Sequence, residues 1–221
     1  MKWKLVIFDL DGTLIDTIAD LGAAVNHALS LHGLPPHTLE EYKYMVGNGV
    51  RKLVERAMPD ASKGDDILLD ALLADFLKYY QAHITVHSRP YGGIPQLLSD
   101  LQEAGVKIAV ASNKFIAGTQ ALISHYFPDI NFVSVLGGRG GVPLKPDPQV
   151  VGEILRQSGA GREETVMVGD SATDTATASN GACSPRRWGR DCCLSPTWWW
   201  NMSISGFTFP SAPRWRSSHC R

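Results

Sequence analysis

A chain of 221 residues, 44% of them hydrophobic, is large enough to bury a core as one medium domain or as one domain carrying an insertion. Its formal net charge of −1 offers no broad basic field of the kind that draws in nucleic acid or an anionic membrane, so neither is expected as a partner. No signal-like region opens the chain and no apolar run reaches membrane-spanning length, which makes the cytoplasm the expected compartment.

Residues 4–9 read as a short buried strand, and its end carries the stretch VIFDLDGTLIDT at 6–17. Asp9 and Asp11 stand one residue apart there, followed by Gly12 and Thr13. Burying carboxylates is costly unless something compensates them, so the pair points to chemistry. Taken alone, a solvated strand end with an Asp-Gly turn would explain it as well. From 17 to 31, Ile18, Leu21, Val25, Ala28 and Leu29 recur at helical spacing until Gly33, Pro35 and Pro36 stop the helix. Helical patterns follow at 38–46, 49–58 and 66–83, separated by VGNG and PDASKGD.

After RPYGGIPQLL the pattern changes. A helix at 94–104 leads through Gly105 into the strand VKIAVAS, a helix at 115–125 into INFVSVLGG, and a helix at 148–158 into ETVMVGD. Strands alternating with helices of this length predict an α/β fold, a Rossmann-like parallel sheet core with helices on both faces. The core is expected over 1–16 and 86–180, with the helices of 17–85 inserted after the first strand.

Ligands of a parallel sheet sit beyond the carboxyl ends of its strands. Asp9 and Asp11 fall at the end of the first strand, Ser112 and Asn113 at the end of the second, and Asp170 at the end of TVMVG. Lys145, in the loop GGRGGVPLKPDP, could reach the same edge. Carboxylates gathered without enough cations call for a hard metal, and Mg²⁺ takes one or two of them together with waters and a substrate phosphate. A lysine and free backbone N–H groups of a glycine turn would hold phosphate oxygens. Plainer readings exist for each: Ser112 as a helix N-cap, Lys145 as a solvated loop residue, Asp170 and Asp174 as the start of a helix. The histidines show no shared metal spacing, and none is assigned.

With DLDGT at 9–13, ASN ending at 113, KPDP at 145–148 and GDSATD at 169–174, the chain resembles the haloacid dehalogenase superfamily of phosphohydrolases, most closely the phosphoglycolate phosphatase type. The resemblance covers residues 4 to about 178. It implies a Mg²⁺-dependent phosphatase hydrolysing small phosphate monoesters, 2-phosphoglycolate foremost, in which Asp9 takes the phosphoryl group as an aspartyl phosphate. Asp11 would protonate the leaving alcohol and then activate water. The metal would be held by Asp9, the Asp11 carbonyl and Asp170. Ser112 and Lys145 would stabilise the transferring group with N–H help from Asn113, Gly12 and Thr13, and Asp174 would orient Lys145 or the metal waters. The insertion 17–85 would be the family's cap, with Arg51 a contact for a substrate carboxylate. Dehalogenases lack an acid at the place of Asp11, which favours phosphate esters. A sugar phosphomutase or a phosphatase for other small esters is the alternative within the superfamily, and an inactive binding protein the alternative outside it. A monomer or a homodimer is expected.

After about residue 180 the composition shifts: all four cysteines and five of the six tryptophans lie there, with six arginines, no lysine and one acidic residue, Asp191. The family supplies a short apolar strand at this point, and none is evident in CSPRRWGRDCC. A reading-frame change near 178–183 would explain the shift, since WWWN read from the third base of its first codon gives Val-Val-Glu. Residues 181–221 are expected to form an atypical tail, disordered or poorly packed.

Overall fold

The structure is a computed structural model and describes residues 3–187. The first strand, β1 (Leu5–Phe8), is buried at every position. A strand buried on both faces needs apolar side chains in both directions. Val6 and Phe8 supply one face, while Leu5 and Ile7 pack in a second cluster on the other.

Past a two-residue strand, β2 (Ile15–Asp16), the chain runs through four helices: α1 (Ile18–Leu31), α2 (Leu39–Met45), α3 (Val50–Ala57) and α4 (Asp66–His83). It returns by β3 (Arg89–Pro90) and then alternates through α5 (Ile94–Glu103), β4 (Lys107–Phe115), α6 (Ile116–Tyr126), β5 (Phe132–Gly138), α7 (Gln149–Ser158), β6 (Thr165–Gly169), α8 (Ala172–Asn180) and β7 (Ser184–Arg187). The helices and long strands stand within a few residues of their predicted places. All pairings of the five-stranded sheet are parallel, in the order β5-β4-β1-β6-β7.

That order places β1 between β4 and β6, where the winding reverses and a crevice opens at the strand ends. Register does the rest. Phe8 is level with Val110 on one side and Val168 on the other, so the residues that follow each of them leave the sheet at one height.

Two features were not visible in the sequence. The linkers on either side of the helical insertion pair with each other, β2 with β3, antiparallel. Two residues are too few to carry an alternation pattern. Beside them Asp20, 3% exposed, accepts hydrogen bonds from the His87 backbone N–H, the Ser88 backbone N–H and the Ser88 hydroxyl at 2.7–3.0 Å, tying α1 to the returning linker.

The second feature corrects the expected start of the disordered or poorly packed tail: no apolar strand follows α8, but a polar one does. Ser184–Arg187 pairs in parallel with β6, and Cys183 is buried in the cluster that holds Val151 and Ala178. A ladder is made by backbone groups, and Pro185 is tolerated because β7 forms an edge among the described residues. The rest of the anticipated tail, 188–221, lies outside the described residues. Among the described residues no helix is long and apolar enough to cross a membrane.

Removing the Asp20 carboxylate strands the donors of residues 87 and 88 in a buried place. Asp20→Ala is expected to lower unfolding free energy by about 2–4 kcal/mol, read from urea titrations of the two proteins.

Candidate active site

Asp9 follows β1 directly, and its backbone N–H still bonds to the Val168 carbonyl at 2.9 Å, which holds the residue in line with the sheet. Its carboxylate is nearly buried and meets the ammonium of Lys145, Nζ to Oδ1 2.8 Å. The same Nζ donates to Asp174 Oδ1 at 2.6 Å and to the Ala111 carbonyl at 2.8 Å, so its three protons are all used. Asn113 fixes the loop that delivers this lysine. Its Oδ1 accepts from the Lys145 backbone N–H at 2.8 Å, and its Nδ2 donates to the Lys145 carbonyl at 3.1 Å.

Burial pushes the Asp9 carboxyl up to about 7; Lys145 pulls against this, and Asp174 and Asp11 add to it. Burial works against the Lys145 ammonium as well, but Asp9 and Asp174 outweigh it and hold the lysine above its usual range. For Asp174 burial is likewise the largest influence, yet Lys145 and the Ser171 hydroxyl and N–H prevail and keep its carboxyl low. Of the two carboxylates sharing the lysine, Asp9 is therefore the one whose charge is under-compensated.

A divalent cation would supply what is missing. One oxygen each from Asp9, Asp170 and Asp174 lies within 4.8 Å of the others, a hard, all-oxygen donor set. Four carboxylates line the pocket (Asp9, Asp11, Asp170, Asp174) against two ammonium groups, Lys114 and Lys145. The Asp170 carboxylate fits because residue 12 is glycine: at its φ of +86°, a Cβ would stand 2.5 Å from Asp170 Oδ2. Within this set Asp174 is bonded by both Lys145 and Ser171, and Asp9 by Lys145 through Oδ1.

Leu21, Val46, Val50 and Leu53 of the insertion form an apolar wall facing these charges. The loop between α2 and α3 reaches the sheet edge, where the Gly47 carbonyl accepts from Asn113 Nδ2 at 3.1 Å. Arg56 braces that loop from behind, donating to the Met45 carbonyl and to Asn48 Oδ1 at 2.7 and 2.8 Å.

Of the residues singled out in the sequence, Asp9, Asp11, Ser112, Asn113, Lys145, Asp170 and Asp174 line one pocket. Three do not fit as expected. The N–H groups of Gly12 and Thr13 are not free for a ligand. They donate to the Ile15 and Leu10 carbonyls at 3.0 and 3.2 Å, because the turn folds back on itself to start β2. Arg51 points away, paired with Asp66 and Asp70 of α4, its side chain half exposed. Successive helical residues are about 100° apart, and Val50 takes the inward direction.

Two polar side chains of the pocket were given no role from the sequence, Ser171 and Lys114. A signal for Lys114 existed: β4 runs on to Phe115, and alternation along it puts residue 114 on the same side as Ser112.

A crevice at the centre of a parallel sheet, crowded with carboxylates, supplied with buried lysines and roofed by an inserted helical block, defines an α/β protein whose site suits a hard cation and a small anion. The chain belongs to the haloacid dehalogenase-like hydrolase family, whose model matches residues 6–184. It is 36% identical over 179 residues to a phosphoglycolate phosphatase of Mesorhizobium japonicum, covering 80% of this chain and 79% of that one. A phosphoglycolate phosphatase of Caulobacter vibrioides is also 36% identical, over 176 residues, 79% of this chain and 74% of its own. Among solved structures, that of a predicted phosphoglycolate phosphatase from Haemophilus somnus superposes with a TM-score of 0.78 at 28% identity, covering 84% of each chain.

The raised Asp9 pKa has a consequence for stability. The folded protein keeps this proton up to about pH 7, whereas an unfolded chain loses it near 3.8, so ionisation costs stability as pH rises across that interval. In chelator, the melting temperature of Asp9→Asn should gain on wild type from about pH 4 to about pH 7. Added divalent cation should narrow the gap, and a pH-independent difference would contradict the assignment.

Proposed function

We propose that this protein is a Mg²⁺-dependent phosphatase of small phosphate monoesters, with 2-phosphoglycolate as the first substrate, working through an aspartyl phosphate on Asp9. The observation that carries the proposal is the buried Asp9–Lys145–Asp174 cluster at the sheet crevice, with Asp170 able to approach it over Gly12. The naming of the curated relatives supports the choice of ester.

The chemistry follows from the placement of the side chains. Lys145 engages one oxygen of Asp9, leaving the other to attack phosphorus. As the O–P bond forms, the bond from phosphorus to the leaving oxygen breaks. Its electron pair stays on that oxygen, which takes a proton from the Asp11 carboxyl. Asp11, now a carboxylate, accepts a proton from a water that attacks the phosphorus of the aspartyl phosphate. Inorganic phosphate leaves and the Asp9 carboxylate is restored. The positive charge of Lys145 stabilises the transferring oxygens, with the Ser112 hydroxyl and the Asn113 backbone as hydrogen-bond donors. Asp174 holds Lys145 in place. Mg²⁺ would be bound by Asp9, Asp170 and the Asp11 carbonyl, and would there screen the repulsion between carboxylate and phosphoryl charge.

In this reading residues 17–85 are a cap on a core of 1–16 and 86–180. The wall of Leu21, Val46, Val50 and Leu53 keeps water from the reacting centre and limits the size of the leaving group.

A panel of phosphate esters assayed with Mg²⁺ should show phosphate release, highest with 2-phosphoglycolate. Release should vanish on chelation and fall by about a thousandfold or more in Asp9→Asn. Absence of release from every ester by folded protein, or an Asp9→Asn variant of undiminished rate, would end the proposal. Arg51→Ala should stay within about twofold of wild type in KM for 2-phosphoglycolate, since its guanidinium is occupied on the outer face of α3.

A further inference from the structure

Lys114 is a buried charge in the pocket for which the chemistry above has no use. Its side chain is 1% exposed, and its Nζ lies 3.0 and 3.1 Å from the two carboxylate oxygens of Asp11. The Thr17 hydroxyl donates to the same Oδ1 at 2.6 Å. Both oxygens of Asp11 are thus engaged by donors, which fixes the plane and direction of the carboxylate.

The ammonium also faces the insertion. It lies 4.7 Å from the ring centroid of Tyr80 on α4, a distance at which an aromatic face attracts a cation. Tyr80 is itself fully buried, stacked on Phe76 at 5.3 Å and edge-on to Phe115 at 6.2 Å. One lysine of the sheet therefore touches the acid that follows β1 on one side and the roof of the pocket on the other.

Stability alone is a poor reason for such a group. A buried ion pair is often no more stabilising than apolar residues of the same volume, and a methionine would fill this space. Geometry is what the lysine adds.

We propose that Lys114 is a positioning residue: it holds the Asp11 carboxylate in its working orientation and links that orientation to the seating of α4 through the ring of Tyr80. The inference rests on Asp11 being the proton donor and acceptor of the proposed reaction. It predicts that losing Lys114 or the Tyr80 ring impairs proton delivery to the leaving alcohol while substrate binding is largely retained.

The test is a set of full-length variants, Lys114→Met, Tyr80→Leu, Asp11→Asn and the double variant Asp11→Asn with Lys114→Met, each checked for folding by thermal melting. Three substrates are compared with Mg²⁺ by kcat/KM, which reports the steps up to alcohol release. They are 2-phosphoglycolate, glycerol 2-phosphate with its uncharged alcohol, and p-nitrophenyl phosphate, whose leaving group scarcely needs a proton. Lys114→Met should lose about tenfold or more on both alkyl esters and less than about threefold on p-nitrophenyl phosphate, chiefly in kcat. Tyr80→Leu should show the same contrast more weakly. In the Asp11→Asn background, Lys114→Met should cost little further.

Equal losses on all three esters, or full additivity with Asp11→Asn, would reduce Lys114 to a structural ion pair. A loss confined to 2-phosphoglycolate and seen in KM would make it a substrate ligand; either outcome overturns the proposal. If Asp11→Asn itself shows no dependence on the leaving group, the fault lies in the role given to Asp11. If it does and Lys114→Met does not, only the positioning role falls. Should Lys114→Met fail to fold, Tyr80→Leu reads the same link from the other side, and an equal loss on all three esters there would count against it.

Discussion

Negative charge at the end of β1 has to be held where the fold would otherwise exclude it. Asp9 is buried, Asp174 is buried, and the Lys145 ammonium between them meets both within 2.8 Å. A lone buried carboxylate would neutralise itself by taking up a proton, and a lone buried ammonium by losing one. Together the lysine and Asp174 stay charged while Asp9 keeps its proton up to about pH 7, and much of the surrounding structure serves to keep the three together. Asn113 clamps the backbone of Lys145 from both sides, Ser171 fastens Asp174, and glycine at 12 leaves room for the next carboxylate. Asp174 is held low by Lys145 together with Ser171, whereas burial raises Asp9, and this imbalance is what a divalent cation would relieve.

The end of β4 distributes contacts with unusual economy. Ser112, Asn113 and Lys114 are consecutive, yet Ser112 lines the pocket, Asn113 joins the Lys145 loop to Gly47 of the roof, and Lys114 joins Asp11 to Tyr80 of α4. Two of these three residues therefore span the sheet and the inserted helices. The insertion enters and leaves through β2 and β3, with the Asp20 carboxylate bonded across to the returning linker. Such a roof is anchored at its base by backbone pairing and at its tip by side chains that also hold the Lys145 loop and Asp11. Its seating and the arrangement of the charges are consequently one problem rather than two.

Local sequence was enough for the parts of the protein governed by short-range rules. Short apolar runs and helical periods gave the long strands and the helices to within a few residues, and the alternation of the two types gave a parallel sheet. Strand ends in such a sheet collect ligands, so Asp9, Asp11, Ser112, Asp170 and, through its loop, Lys145 could be gathered at one edge before any coordinates existed. Motifs tied to strand ends are legible because the sheet itself fixes their height, as the level pairing of Phe8 with Val110 and Val168 shows.

What depended on the direction of a side chain, or on a partner far along the chain, was decided only by the tertiary structure. Arg51 is one residue from the pocket-lining Val50, but a helical step turned it toward Asp66 and Asp70. Gly12 and Thr13 spend their N–H groups inside their own turn, and Ser184–Arg187 became a strand because β6 offered an open backbone ladder. Lys114 pairs with a carboxylate 103 positions earlier and a ring 34 positions earlier, contacts that carry no periodicity for a sequence to display. Patterns of two and 3.6 residues record which face of an element is buried; which charged group meets which is set by how the elements pack, and that exists only in three dimensions.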